Sequence, residues 1–160
     1  MSVEGQFFLS VTGSIEHAEF YDVNNAYCKY SFHFGPEWSV VAGIEEGLTQ
    51  MCKCSNDPRN LAVWNFPLDI TFKSTNPHGW PQLIMSIYGL DFFGHDVIRG
   101  YGVCHLPLTA GRHEKSIYEI MLDFANGKMW RYNSRAPTYS IKGPKSAGMS
   151  DDMCDAENRF

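Results

Sequence analysis

The thiols of this chain are the first residues whose types could do chemistry. Cys52 and Cys54 stand one residue apart, which could make half of a metal site, but no second pair follows at the spacing of zinc sites. Cys104 precedes His105, as a nucleophile beside a base would, yet neighbours in a strand point to opposite faces and cannot meet. The five cysteines are also unevenly spaced, unlike a disulfide framework. We therefore expect reduced, structural thiols with no metal and no catalytic role.

Carboxylates form the second group. Glu45 and Glu46 are adjacent, and Asp91 and Asp96 enclose a short segment, each pair on a predicted loop. A glycosidase could use paired carboxylates, but such groups are common in exposed turns, and calcium is the better alternative because oxygen-rich loops of a sandwich can hold that ion. The chain has no Gly-rich phosphate loop before a helix and no Gly-x-Ser-x-Gly elbow. The residues alone predict no enzyme and leave calcium open.

The segment between the two aspartates is unusual. Phe92 and Phe93 are adjacent aromatics in a turn of otherwise polar residues, so strand alternation cannot bury both. Either one ring packs under the loop, or the pair forms an apolar tip for a partner or a membrane surface. We take Asp91, Phe92, Phe93, His95 and Asp96 as the candidate partner or membrane loop.

The chain is organised around residues 64–73. Every even position there is large and apolar, and polar residues and Pro67 take the odd positions. The apolar set is Trp64, Phe66, Leu68, Ile70 and Phe72. A period of two predicts a strand with one buried face and one wet face. Pro67 has no N–H to donate, which predicts an edge position or a bulge.

Shorter segments repeat this alternation. The predicted strands are residues 6–15, 27–34, 38–42, 82–88 and 97–106, and residues 16–25 are predicted to be a loop. Gly100 and Gly102 predict a bulge or a close backbone approach in the last of these strands. Several short strands separated by Gly, Pro and Asn turns indicate an antiparallel sandwich or barrel.

The segment after residue 115 differs in kind. Ser116 and Glu119 match a capping box, and Gly127 could end a helix. Apolar residues at helical spacing lie between them: Ile117, Ile120, Met121 and Phe124. This pattern predicts a short helix, followed by an irregular segment and by an acidic tail that we expect to be frayed.

Composition and charge bound the function. The length of 160 residues suits one domain, and 44% hydrophobic and 14% aromatic residues argue against a disordered chain. A formal charge of −5 disfavours nucleic acid as a partner, and anionic lipid repels a protein of this charge. No apolar run reaches the roughly 18 residues of a membrane span, and the start of the chain lacks the pattern of a signal peptide. We expect a cytosolic protein.

Five motifs resemble the B9 domain family. They are residues 27–30 (YCKY), 42–47 (AGIEEG), 63–69 (VWNFPLD), 71–82 (TFKSTNPHGWPQ) and 99–102 (RGYG). The match covers about residues 5–113, and its long run from Trp64 to Gln82 makes it specific. The resemblance implies an all-β, C2-like antiparallel sandwich.

The resemblance also implies a function without catalysis. Members of the family are structural subunits of the tectonic-like, or Meckel, complex at the ciliary transition zone and basal body. There they associate with the second B9 domain-containing protein, the Meckel syndrome type 1 protein and other transition-zone subunits. The complex supports ciliogenesis, limits diffusion of membrane proteins into the cilium and sustains Hedgehog signalling. The alternative is a phospholipid-binding C2-like module, dependent on calcium or independent of it, with peripheral membrane contact.

Calcium can be weighed against this resemblance. Asp91 and Asp96 match the second and third acids of the third calcium loop of C2 domains, but Gly89 stands where the first acid should be. The loop at residues 35–37 offers one carboxylate, Glu37. Two or three oxygens fall short of the six to eight that calcium takes. We therefore predict no calcium and no other cofactor.

The C-terminal part departs from the family pattern. We place the B9 core strands at residues 5–113, a helix and loop segment at 114–145, and an acidic, disordered tail at 146–160. No strand that would close the sandwich can be recognised after the core. If it is absent, a neighbouring strand keeps an unpaired row of N–H and C=O groups, which is a template for a partner strand or for aggregation.

Overall fold

The computed structural model describes residues 5–19, 25–56, 58–116, 120–123, 128–131 and 138–142, with side chains as far as residue 115. All strand pairs among them are antiparallel. The strands are β1 (Phe7–Glu19), β2 (Asn25–His33), β3 (Trp38–Gly43), β4 (Glu46–Leu48), β5 (Cys52–Lys53), β6 (Leu61–Ser74), β7 (Gln82–Leu90), β8 (Asp96–His105), β9 (Arg112–Ser116), β10 (Ile120–Asp123), β11 (Lys128–Arg131) and β12 (Thr138–Lys142). The predicted all-β, antiparallel class is confirmed.

The strands form two sheets. One has five strands in the order β3-β6-β1-β12-β9, and the other has seven in the order β11-β10-β8-β7-β2-β4, with β5 also paired to β2. The buried side chains of β1 and β6 belong to the same core as those of β2 and β7. The molecule is therefore a sandwich with its core between the sheets.

Alternation along β6 supplies much of this core. Trp64, Leu68, Ile70 and Phe72 are buried, and Phe66 is half-buried against them. On the facing sheet, Leu83, Met85 and Ile87 of β7 are buried. The predicted buried faces of both strands are confirmed, because a pleated strand presents every second side chain to the same layer.

Irregularities occur where proline and glycine predicted them. The pairing of β6 with β3 extends only from Ser74 to Ile70, so Pro67 lies beyond the last β3 pair. Close by, the β1–β6 register shifts, and Asn65 has a positive φ of 45°. In β8, Arg99 is an extra residue between Ile98 and Gly100, which pair with consecutive residues of β7. The register shift between β1 and β6 and the extra residue in β8 are both β-bulges, which bend a strand and increase its local twist.

Three expectations are wrong. Residues 16–19 are not loop, because β1 continues to Glu19 and buries Ala18. The predicted helix is not formed at its centre, where Ile120–Asp123 is β10, while residues 117–119 and 124–127 lie outside the described residues. Pairing with β8 and β11 supplies the backbone hydrogen bonds there, which overrides a local helical preference.

The third correction concerns closure. A strand does complete the five-stranded sheet, since β12 lies between β1 and β9 and pairs with both. Its sequence, Thr138–Lys142, is short and weakly apolar, which is why the pattern did not reveal it. The unpaired edge that we expected on a neighbouring strand is therefore absent from β1, because β12 covers it.

Candidate functional site

The candidate loop joins β7 to β8 at one end of the sandwich. Leu90 and Asp96 form the last pair of this hairpin. The buried residues of β7 fix the hairpin in the core, so the five residues between these positions project from a firm base. The position of the loop is therefore fixed by β7 and β8.

The backbone of the loop is a compact turn. The N–H of Gly94 donates to the carbonyl oxygen of Asp91 at 3.1 Å, and the N–H of Asp91 donates to the carbonyl oxygen of His95 at 2.9 Å. Gly94 has a φ of +83°, a left-handed conformation that glycine adopts without strain. A glycine at this point lets the chain reverse within a few residues.

The Asp91 carboxylate ties the loop together from within. Its Oδ1 accepts hydrogen bonds from the N–H groups of Phe93 and His95, each at 2.8 Å. Its Oδ2 lies 3.3 Å from Nδ1 of His95. The hydrogen bond from the His95 N–H is the largest of the effects that lower the pKa of Asp91. The carboxylate thus acts as a brace for the turn.

Phe92 and Phe93 both point into solvent. Their exposed fractions are 97% and 80%, so neither ring packs under the loop. The rings contact each other edge to face, with centroids 5.7 Å apart and planes at 88°. The geometry therefore corresponds to the apolar tip, the second of the two interpretations of this segment.

Asp96 has a different neighbour from Asp91. Tyr27, whose ring stacks on Tyr88 with centroids 5.1 Å apart, lies near Asp96. Burial first, and then the Asp96 carboxylate, raise the pKa of Tyr27. Asp91 turns toward its own loop, so the two aspartates have separate partners.

Arg99, the bulge residue of β8, supports the base of the loop. Its Nη2 donates to the carbonyl oxygen of Leu90 at 3.0 Å. In the sequence, Arg99 was included only as the first residue of the RGYG motif and was assigned no role. The adjacent Gly100, which predicted the bulge, was the available signal.

The other candidate residues are not assembled into a reactive site. Cys104 packs against the core while His105 is exposed, which confirms that they occupy opposite faces. Cys54 is buried, and burial is the main cause that raises the pKa of its thiol. Glu45 and Glu46 are exposed. Nowhere in the described part of the chain do three His, Cys, Asp or Glu side chains gather in a way that could hold a metal ion.

A shallow groove of about 580 Å³ lies at the opposite end of the sandwich. Trp80, His78, His105 and Lys115 are among its lining residues, together with prolines and leucines. The indole N–H of Trp80 donates to the carbonyl oxygen of Leu106 at 2.9 Å. Lys115 Nζ donates to the carbonyl oxygen of His105 at 3.2 Å. These polar groups are engaged in holding loops together.

Sequence reasoning also missed an exposed apolar flank. Large apolar side chains of the segment from β3 to β5 stand in solvent, although nothing in their spacing marks them as exposed. They are Val41, Ile44, Leu48 and Met51.

Within the described residues, no helix has the length and apolar character needed to cross a membrane.

Comparisons with known proteins agree with this architecture. Residues 9–141 match a family model described as "Ciliary basal body-associated, B9 protein". The chain is 53% identical over 111 residues to B9 domain-containing protein 1 of Mus musculus, covering 69% of this chain and 54% of that protein. To the Homo sapiens protein of the same name it is 46% identical over 138 residues, covering 84% of this chain and 67% of that protein. The chain thus spans between half and about two thirds of the length of these curated relatives.

Two further similarities are weaker. The chain is 33% identical over 106 residues to B9 domain-containing protein 2 of Homo sapiens, covering 65% of this chain and 58% of that protein. A C2 domain of plant Extended Synaptotagmin 1 superposes with a TM-score of 0.52 at 14% identity, covering 86% of this chain and 96% of that one. The latter likeness shows the fold alone. On the strength of its family match and its sandwich of antiparallel sheets, the chain belongs to the B9 domain family and has the C2-like fold.

Proposed function

We propose that this chain is a non-enzymatic structural subunit of the tectonic-like complex at the ciliary transition zone and basal body. In this role it binds the second B9 domain-containing protein, the Meckel syndrome type 1 protein and other subunits. The assembly supports ciliogenesis, acts as a diffusion barrier for membrane proteins and sustains Hedgehog signalling. The family description, which names the ciliary basal body, and the identity to B9 domain-containing protein 1 support this proposal.

The observation that carries the binding role is the loop tip. Two phenylalanine rings stand in solvent on a turn that the Asp91 carboxylate braces. An apolar surface held in a fixed shape is suited to a protein partner, because burying it needs little further ordering of the loop. The loop of Asp91, Phe92, Phe93, His95 and Asp96 is therefore our proposed partner-binding site.

The surroundings of the candidate reactive groups favour a non-enzymatic role. Cys104 and His105 lie on opposite faces, and the Asp91 carboxylate already accepts hydrogen bonds from its own loop. A catalytic site needs a nucleophile, a base and an orienting group within reach of one another. The groups described above have structural roles instead.

A test of this proposal uses the tagged chain in ciliated cells. We expect the wild-type chain to concentrate at the ciliary base and to coprecipitate the second B9 domain-containing protein. A double variant, Phe92→Ser with Phe93→Ser, should lose that coprecipitation. Phe8→Ser is a matched control, because Phe8 is also an exposed phenylalanine but lies on β1 of the other sheet. Absence from the ciliary base, with no subunit recovered, would contradict the proposal.

A second candidate function is binding to phospholipid. The exposed Phe92 and Phe93, at the end of a C2-like sandwich, are the specific observation that favours it. The charge of −5 opposes binding to anionic lipid, so we expect any binding to be weak. Sedimentation with vesicles of phosphatidylcholine, with and without phosphatidylserine and calcium, separates the cases. Calcium-dependent pelleting lost in Asp91→Ala would favour this second function and overturn our prediction that no calcium is bound.

A further inference from the structure

The two edge strands of the five-stranded sheet differ in composition. One edge is β9, Arg112–Ser116, which carries Arg112, Glu114 and Lys115 among its five residues. The other edge is β3, Trp38–Gly43, which carries no charged residue. Charged side chains on an edge strand prevent it from pairing with another chain. The β9 edge has this protection in its sequence and the β3 edge lacks it.

Among the strands that the structure describes, none pairs with the outer side of β3. The strand pairs with β6 on one side, from Trp38 opposite Ser74 to Gly43 opposite Ile70. In an antiparallel pair, alternate backbone groups point away from the partner strand. The edge position of β3 therefore leaves N–H and C=O groups facing outward, where a further strand could bind.

Exposed apolar side chains lie at the C-terminal end of this edge, whereas Trp38 at its start is buried and Val40 is half-buried. Val41 is 53% exposed and Ile44 is 66% exposed, and every residue from 41 to 46 lies in solvent. Val41 falls at the register shift between Val40 and Ala42, which limits the regular part of the strand to a short length. A matching segment therefore needs only a few extended residues with apolar side chains.

The same flank continues into the second sheet. After Gly43 the chain leaves β6, and the carbonyl oxygen of Glu45 accepts a hydrogen bond from the N–H of Phe32 on β2 at 2.9 Å. Beyond this crossover, β4 forms an edge of the seven-stranded sheet and exposes Leu48. One side of the sandwich thus combines two strand edges with exposed apolar side chains.

Charge selects among possible occupants. Glu45 and Glu46 follow β3 after one intervening residue, Ile44, and Glu37 directly precedes the strand; all three glutamates are exposed. If a second copy paired its own β3 antiparallel to this one, the Glu45–Glu46 end of each copy would meet Glu37 of the other, and like charges would repel. A segment with Lys or Arg at its N-terminal end would instead place its positive charge beside Glu45 and Glu46. Antiparallel pairing is the commoner geometry and already joins β3 to β6.

We infer that the β3 edge is a docking site for an extended segment of a different polypeptide, which adds to the five-stranded sheet as an antiparallel strand. The segment has apolar residues at alternate positions and Lys or Arg at its N-terminal end. This inference is independent of the ciliary role and of the β7–β8 loop, which lies in the other sheet. Its test can therefore fail while the proposed function stands, and the reverse also holds.

The test selects peptides on the whole chain. A phage-displayed library of random peptides of about 12 residues is panned against the immobilised protein, and enriched peptides are synthesised. We expect enrichment of alternating apolar residues preceded by Lys or Arg. Binding of such a peptide should slow hydrogen exchange of backbone amides in β3 by about tenfold or more and leave those of β9 unchanged. A library that yields no enriched peptide, or protection elsewhere than β3, would overturn the inference.

Matched variants locate the binding surface. Val41→Lys places a charge on the β3 edge and should weaken peptide affinity by about tenfold or more. Val103→Lys is the control, since Val103 is equally exposed at 54% but lies on β8. It should change affinity less than about twofold. Equal losses in the two variants would contradict the β3 site, and the hydrogen exchange of the wild-type chain provides a result that does not depend on either variant folding.

A charge reversal tests the orientation. In Glu45→Lys with Glu46→Lys, peptides with a basic N-terminal end should bind more weakly and peptides with an acidic N-terminal end more tightly. Self-association of the wild-type chain through β3, detected by sedimentation velocity and abolished by Val41→Lys, would instead identify a second copy as the occupant and overturn the assignment to a different polypeptide.

Discussion

The two ends of the sandwich use aromatic residues in opposite ways. At the end where β7 begins, Trp38 is buried and contacts the rings of Phe7, Phe72 and Trp80 edge to face, with centroids 5.4, 6.3 and 5.1 Å away. Its indole N–H donates to the carbonyl oxygen of His78 at 2.8 Å. At the end where β7 finishes, about 30 Å away at roughly 3.3 Å per residue, Phe92 and Phe93 contact each other, and Phe93 makes a further tilted contact with His95.

The loops explain this difference. At the tryptophan end, two loops approach until the N–H of Gly35 donates to the carbonyl oxygen of Gly79 at 2.9 Å. One of these loops also lies against the buried Trp38, since its His78 carbonyl oxygen accepts the indole N–H. The β7–β8 loop makes its hydrogen bonds within itself, so its rings stay in solvent. Aromatic residues thus stabilise the fold where a second loop covers them and are available to a partner where none does.

The largest effect is expected at the tryptophan end. Trp38→Ala removes a buried ring and an indole hydrogen bond, and we expect it to lower the free energy of unfolding by about 3–5 kcal/mol. Urea denaturation measures this change. Trp38→Phe keeps most of the packing and should lose only about 1–2 kcal/mol. A loss below about 1 kcal/mol in Trp38→Ala would mean that this end does not carry the stability that its contacts indicate.

Alanine substitutions at two glycines distinguish the cost of backbone strain from the cost of a steric clash. Gly79 has a φ of +72°, and an added Cβ would lie 2.6 Å from the Cα of Gly35. Gly94 has a similar φ of +83° with nothing within 4 Å of that position. We expect Gly94→Ala to lower the free energy of unfolding by about 1 kcal/mol through strain alone, and Gly79→Ala by about 3 kcal/mol or more. Equal losses in thermal or urea denaturation would contradict the close approach of the two loops.

Acidification should loosen the β7–β8 loop and leave the tryptophan end intact. The hydrogen bonds from the His95 and Phe93 N–H groups favour the ionised carboxylate, so the pKa of Asp91 is lower in the folded state. Its stabilising contribution is therefore present above the ordinary pKa of an aspartate and is lost as pH falls through the lowered pKa. The chemical shifts of the Phe93 and His95 amides should report this titration. Asp91→Asn should abolish it, and shifts that still titrate in that variant would exclude Asp91 as the cause.

The smallest effect on stability is expected at the loop tip. Phe92→Ser and Phe93→Ser remove rings that are almost fully exposed. We expect each to change the free energy of unfolding by less than about 0.5 kcal/mol, although the double variant should abolish partner binding. A larger loss in urea denaturation would mean that the rings stabilise the fold and would remove the contrast between the two ends.

The sequence predicted the parts of the fold that depend on strand alternation. The buried faces of β6 and β7 follow from apolar residues at every second position, because the pleat alone decides which face they occupy. Pro67 and Gly100 marked places where the regular ladder changes, since the chemistry of these residues limits pairing or permits a bulge. In the candidate loop, adjacency of Phe92 and Phe93 was enough to predict that they would not both be buried by alternation.

Other features depend on neighbours that a local pattern cannot show. Ile120 and Met121 fit a helical spacing, yet they belong to β10 because the backbone of β8 is available to pair with them. Thr138–Lys142 has little apolar character of its own and is a strand because it lies between β1 and β9. Whether Phe92 or Phe93 packs under the loop depends on the space left by other loops, which only the three-dimensional structure gives.

The place of β12 in the sheet has a consequence for biosynthesis. Its partner β1 is the first strand of the described chain and β12 is the last, so Thr12–His17 must wait for Thr138–Lys142 to leave the ribosome before one side of β1 is covered. Until then the nascent chain exposes an unpaired strand edge, which makes it prone to aggregation. We expect maturation to be slow and sensitive to premature termination, because pairing between distant segments limits the folding rate.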